Sequence, residues 1–201
     1  MITAVRYKHT NTYFIRGQYG GLLIDTDGPG TLSLFFKEIK KKGIILTDIT
    51  YVLATHYHPD HIGLISSLMK LGVKLLLVDV QCPYVHFADE LLKRDKKLTY
   101  EPIHEKDAVV IRCEESRAFL STLGIQGEII STPSHSLDSI SLILDDGCCI
   151  VGDLEPVDYQ QAYANNNHLQ RDWHRVMAYH PQVIYYGHAN EKYWYSTKEK
   201  S

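Results

Sequence analysis

Short apolar runs, separated by glycine, proline and charged turns, divide this chain into alternating strands and helices. Over 11–25 the stretches TYFIR and GLLIDT flank a glycine-rich turn at 17–21 and predict a β-hairpin, glycine supplying positive φ at little cost. After the breaker run Asp27-Gly28-Pro29-Gly30, residues Leu32, Phe35, Phe36 and Ile39 share one face of a helix predicted over 31–42 and stopped by Gly43. Strand length and character return at 49–54, 74–78, 108–112 and 128–131, with helical spacing at 62–71 and 88–97. Asp145-Asp146-Gly147 is a turn signal between apolar runs 139–144 and 148–151, which predicts a second hairpin. A helix at 168–179, stopped by Pro181, and a strand at 182–186 complete the pattern, and the segment 81–127 is the part it specifies least.

Such an alternation predicts an α/β protein in which helices cover mixed sheets. At 201 residues one domain over 1–201 is expected, and 44% hydrophobic with 22% charged residues is the balance of a chain that folds. A net charge of −3 gives a phosphate backbone no reason to bind, and the lysines at 40–42 read as a solvated helix end. The first 17 residues alternate polar and apolar, unlike a secretory signal or a membrane span. A cytoplasmic protein acting on a small molecule, without nucleic-acid or membrane partners, is expected, and the oligomeric state is left open. Cys82, Cys113, Cys148 and Cys149 have no CxxC spacing and read as free core thiols.

The chemistry concentrates in Thr55-His56-Tyr57-His58-Pro59-Asp60-His61, four potential metal ligands within six residues at the carboxyl end of a predicted strand. Imidazole and carboxylate suit zinc and other borderline divalent ions. In an extended segment residues i and i+2 point the same way, so His56 and His58 can grip one ion while Asp60 and His61, at the turn into a helix, reach a second. Three further candidates, His135, Asp153 and His188, each stand at the carboxyl end of a predicted strand, as a site along one rim of a sheet requires. Seven ligands exceed what one tetrahedral ion needs and suit two ions sharing a carboxylate. His9, His86, His104, His168, His174 and His180 lack partner spacing and are read as non-ligands, and Gly63 as allowing close packing at a helix start.

HxHxDH, a histidine after Thr-Pro, Gly-Asp and Gly-His in this order resemble the metallo-β-lactamase fold superfamily across nearly the whole chain, and Asn11-Thr-Tyr-Phe-Ile and Leu23-Ile-Asp25-Thr resemble its first hairpin. The resemblance implies a four-layer αβ/βα sandwich of two mixed β-sheets flanked by helices. It implies a first metal on His56, His58 and His135, a second on Asp60, His61 and His188, and Asp153 bridging them, with two Zn2+ as cofactors and Fe2+ or Mn2+ as alternatives. An aspartate at 153 resembles the glyoxalase II, lactonase and phosphodiesterase branches more than true β-lactamases, and a histidine at 58 argues against the diiron flavoprotein branch. The family's Gly-His-Thr-Pro-Gly-Ser stretch is here Ser134-His135-Ser136-Leu137-Asp138-Ser139, which leaves the local loop shape open.

A metal-bridging hydroxide acting on a small ester, thioester or lactone is the expected chemistry, with Asp60 also orienting the nucleophile or accepting its proton. Thirteen residues follow His188, too few for the glutathione-gripping region of glyoxalase II, so other thioesters are preferred to those of glutathione. Tyr57, Tyr159, Tyr163, Trp173 and the 193–195 aromatics are candidate walls for an apolar substrate; Tyr159 is the expected substrate contact, and 193–195 read rather as packing. The alternatives are a mononuclear-iron enzyme like the persulfide dioxygenases, a phosphodiesterase, and a non-enzymatic binding protein.

Overall fold

Alternation along the strands sorts the apolar side chains into separate packed layers, and those layers define the architecture. A computed structural model of the chain describes residues 2–94, 100–159 and 166–194. Strands β1 (Ile2–Arg6), β2 (Asn11–Arg16), β3 (Gly21–Ile24), β4 (Ile49–Leu53), β5 (Lys74–Val78) and β6 (Val109–Ile111) form a first sheet in that spatial order. Its first two pairings are antiparallel and the remaining three parallel. Strands β7 (Gly127–Ser131), β8 (Ile140–Leu144), β9 (Cys148–Ile150), β10 (Val183–Tyr185) and β11 (Lys192–Tyr193) form a second, in the order β11-β10-β9-β8-β7. Only β9 and β10 run parallel there.

Between the sheets lie Tyr13 and Ile15 of β2, Leu76 and Val78 of β5, and Ile140, Leu142 and Leu144 of β8. Their neighbours of opposite parity face outward: Phe14, Leu75 and Leu77 pack under Phe35 and Ile39 of α1 (Leu32–Lys41), while Ile143 meets Trp173 and Val176 of the last helix. A one-residue slip in β5 would exchange these sets, so both buried faces hold the register. Helices α2 (Pro59–Ile62), α3 (Ile65–Lys70) and α4 (Asp89–Arg94) join α1 on the outer face of the first sheet, and α6 (Asn167–Met177) covers the second. The result is the expected αβ/βα sandwich. Truncating Leu76, fully buried between the sheets, to alanine would cost about 2–5 kcal/mol.

Both predicted hairpins form, with Gly17 N–H bonding Gly20 O in the first and Gly147 at φ 85° in the second. The helix expected over 62–71 is broken into α2 and α3. A Cβ on Gly63 would lie 2.3 Å from the carbonyl carbon of Gly28, and Leu64 N–H bonds Thr26 Oγ1 rather than continuing the helical ladder. Strand β1 and helix α5 (Ser116–Thr122) are elements that the sequence reading does not assign. β1 exists by pairing with β2, and α5 by inserting Leu120 between the sheets. The helix expected over 88–97 is α4 as far as Arg94, its end lying outside the described residues. All four cysteines are free thiols, but only Cys149 is in the core, where burial pushes its thiol up to about 12; Cys82 is exposed and Cys113 and Cys148 half-buried.

Candidate metal centre

Strand ends from both sheets converge on one rim. β4 leads to His56, β7 to His135, β9 to Asp153 and β10 to His188, and the turn from β4 into α2 adds His58, Asp60 and His61. Pro59 shapes that turn: it occupies the start of α2, where its missing N–H is not needed, and keeps His58 extended at φ −78°, ψ 152°. His56 and His58 therefore project together, His56 Nε2 lying 3.0 Å from His58 Nδ1, and His135 Nε2 lies 3.2 Å from the same nitrogen. On the other side His61 Nε2 is 3.3 Å from His188 Nε2, which is 3.1 Å from Asp60 Oδ2. Asp153 stands between the groups, Oδ2 at 3.9 Å from His56, 3.8 Å from His135 and 3.4 Å from His188, with Oδ1 3.4 Å from His61.

The donors sort into His56/His58/His135, His56/His61/Asp153 and Asp60/His61/His188, each set with its ligand atoms within 4.8 Å of one another. Among the described residues none of the six other histidines joins such a group. Asp153 Oδ1 is buried without a well-formed hydrogen bond, and a Cβ on Gly187 would come within 2.3 Å of it. An acceptor left bare in a cradle of imidazoles, with glycine keeping the space open, fits a pair of divalent cations.

Electrostatics divides the imidazoles. Burial, reinforced by neighbouring His61, His58 and His135, drives the His56 pKa far below its ordinary value, and burial lowers His135 as well. Both are neutral and ready to ligate. Burial also opposes charge on His61, but Asp25 and Asp153 outweigh it and raise that pKa to about 10, so a cation binding there must displace a proton. Burial would raise Asp153, yet His61, His56 and His188 hold it below the usual carboxylate range.

Outside the seven candidate ligands is a support that the sequence pattern does not assign. Asp25, fully buried at the end of β3, places Oδ2 3.0 Å from His61 Nδ1 and accepts hydrogen bonds from Thr55 N–H (2.6 Å) and Thr55 Oγ1 (2.8 Å). Thr55 Oγ1 in turn lies 3.2 Å from His56 Nδ1, so one carboxylate orients a histidine in each half of the site. Its backbone adopts φ 58°, uncommon outside glycine and held by these contacts. Asp27 accepts from His9 N–H and Thr10 N–H; His9 O lies 3.2 Å from His188 Nδ1 and Thr10 Oγ1 donates to Asp60 O. Asn11 Nδ2 donates to Tyr186 O and Ala189 O on either side of His188. Among these polar residues one signal is available in the sequence: the fully buried strand β3 runs directly into an aspartate, Asp25.

The loop whose shape was open, 134–139, is a closed turn. Ser139 N–H bonds Ser136 O, the two serine hydroxyls are 2.7 Å apart, Asp138 Oδ2 accepts Tyr57 N–H at 2.7 Å, and Asp172 of α6 accepts Ser134 N–H. The aromatic walls largely dissolve. Tyr57 is buried in the core under the first sheet because its backbone is turned inward by Asp138, and Trp173 is a core residue donating to Glu155 O. Tyr159 stands 57% exposed on the turn after Pro156, outside the lining of a cavity of about 220 Å³ formed by Glu155, Pro156, Tyr186 and Ala189 beside Asp153. Tyr193 is exposed on β11, Trp194 packs against the core of the second sheet's outer face, and Tyr163 and Tyr195 lie outside the described residues.

Comparison with known proteins agrees with this geometry. Residues 6–194 match the metallo-beta-lactamase superfamily. The chain is similar to a beta-lactamase-like protein 2 homolog of Drosophila melanogaster, 24% identical over 94% of this chain and 61% of that protein. It is also similar to a hydroxyacylglutathione hydrolase of Rhodopseudomonas palustris, 28% identical over 67% of this chain. The chain spans 43% of the latter's length, well short of either relative. The crystal structure of TTHA1623 in a di-iron-bound form superposes with a TM-score of 0.69 at 21% identity, over 96% of this chain and 94% of that one.

Proposed function

Because this chain belongs to the metallo-β-lactamase superfamily, we propose that it is a metal-dependent hydrolase with a dinuclear zinc centre, acting on a small ester, thioester or lactone. The supporting observation is the grouping of six donors around Asp153: His56, His58 and His135 would hold one ion, Asp60, His61 and His188 the other, and Asp153 would be shared. When bound, the ions lower the pKa of water and polarise a carbonyl or phosphoryl oxygen. The half-exposed Asp60 carboxylate, more open to solvent than that of Asp153, orients the attacking water and takes up its proton. Asp25 and Thr55 keep His61 and His56 from rotating away. The 220 Å³ cavity beside Asp153 receives the scissile group.

A second reading keeps the site and changes the metal. Five imidazoles and two carboxylates suit iron as well as zinc, and the TTHA1623 structure is described as di-iron-bound. Metal content per chain, followed by a panel of esters, thioesters, lactones and phosphodiesters with chelation as control, decides between them. Two zinc ions with chelator-sensitive ester or lactone cleavage is the expected outcome. Iron in place of zinc, or the absence of hydrolysis, would overturn it.

A further inference from the structure

The two halves of the metal rim differ in what surrounds them. Phe87, on the segment leading into α4, is 68% exposed with its ring 6.4 Å from that of His58 and tilted 34° to it. Leu137, two residues past His135, is 70% exposed at the tip of the 136–139 turn. Exposed loop leucines are ordinary, but this one is held out by a turn closed through Ser136, Asp138 and Ser139. One buried amide ties both segments down: Gln81 Nε2 donates to Ala54 O at 2.9 Å and to Asp138 O at 3.4 Å. Leu91, four residues beyond Phe87, is also exposed, at 61%.

Charge narrows the occupant. The cavity that His135, Asp153 and His188 share is otherwise lined by Gly152, Leu154, Glu155, Pro156, Tyr186 and Ala189 with no lysine or arginine, and its charged non-ligand is the acidic Glu155. A substrate bearing further negative charge would find no partner there beyond the ions. The cavity is also smaller than the roughly 300–1,000 Å³ usual for drug-sized ligands, so a longer substrate must leave it across the rim.

We propose that Phe87 and Leu137 form an apolar lip over His58 and His135 that grips the uncharged acyl chain of the substrate, making these two residues determinants of chain-length specificity. The inference rests on the hydrolase reading for the word substrate, but its test does not. Straight-chain acyl hydroxamates, whose head group chelates metals, are titrated calorimetrically into the metal-loaded protein. Full burial of a methylene is worth about fourfold in affinity, so a half-open lip gives about twofold each, and hexanohydroxamate binds at least tenfold more tightly than acetohydroxamate. Phe87→Ala and Leu137→Ala each reduce that ratio to about threefold or less while metal content and thermal unfolding stay those of the wild type. A wild-type ratio near one, or a full ratio retained in both variants, overturns the lip. If a variant loses metal, Leu137→Ser and Phe87→Leu are read in its place: the serine must flatten the ratio and the leucine preserve most of it. A steep ratio in a protein that cleaves no ester sinks the hydrolase reading and leaves the lip standing; ester cleavage without any ratio does the reverse.

Discussion

Asp25 Oδ2 lies 3.0 Å from His61 Nδ1, inside the protein where neither group meets water. The contact fixes which imidazole nitrogen faces the metals and leaves Nε2 as the donor. Through Thr55 the same carboxylate reaches His56. Removing it with Asp25→Ala is expected to weaken metal affinity about 10–100-fold, read in a competition titration against a chromophoric chelator. Unchanged affinity would mean that packing alone orients the two histidines.

Asp153→Ala and His58→Ala test the grouping itself. Each is expected to lose metal and activity while far-ultraviolet circular dichroism stays that of the wild type, because neither side chain belongs to an apolar layer. Full activity in either variant contradicts a site built on both.

Gly187→Ala places a methyl group 2.3 Å from Asp153 Oδ1 and 2.9 Å from His61 Cε1. Metal stoichiometry below that of the wild type is expected, with little change in the unfolding midpoint of the metal-free protein. If the variant loaded normally, the Gly-His signal would report chain geometry rather than room for the ligands.

Among the acceptors that shape the turn carrying His135, Asp138 is the one that ties it to the His56–His58 segment. Asp138→Ala strands the buried Tyr57 N–H at a cost of about 1–3 kcal/mol, measurable by denaturant unfolding, whereas Asp138→Asn keeps an oxygen there and recovers most of it.

His61 makes the metal-free protein sensitive to alkali. Its folded pKa, about 10, is raised above the unfolded value, so the charged form stabilises the fold fully below pH ~6.5 and that contribution disappears as pH rises through about 10. Thermal unfolding of the metal-free protein should therefore fall over pH 7–10, less so in His61→Asn. Adding Zn2+ at pH 8 should release a proton into weakly buffered solution, since a ligating imidazole is neutral. A flat profile with no proton release excludes a charged His61.

The sequence by itself picked out the seven donors that the structure gathers on one rim, and it determined the layers. HxHxDH and the three later residues are legible because metal donors are few in kind and stand at strand ends, and strand parity is legible because burial repeats every second residue. Tertiary structure decided what those patterns do not encode. Asp25, Asp27 and Asn11 look like ordinary turn residues until folding carries them to His61, His9 and the backbone around His188, far away along the chain. Tyr57 stands inside the donor run yet packs in the core, as Trp173 does, whereas Phe87, remote from every donor in sequence, is exposed with its ring 6.4 Å from that of His58. Local pattern records which side chains prefer burial or metal; the distances between segments are set by packing, and those distances select the residues that hold and surround the site.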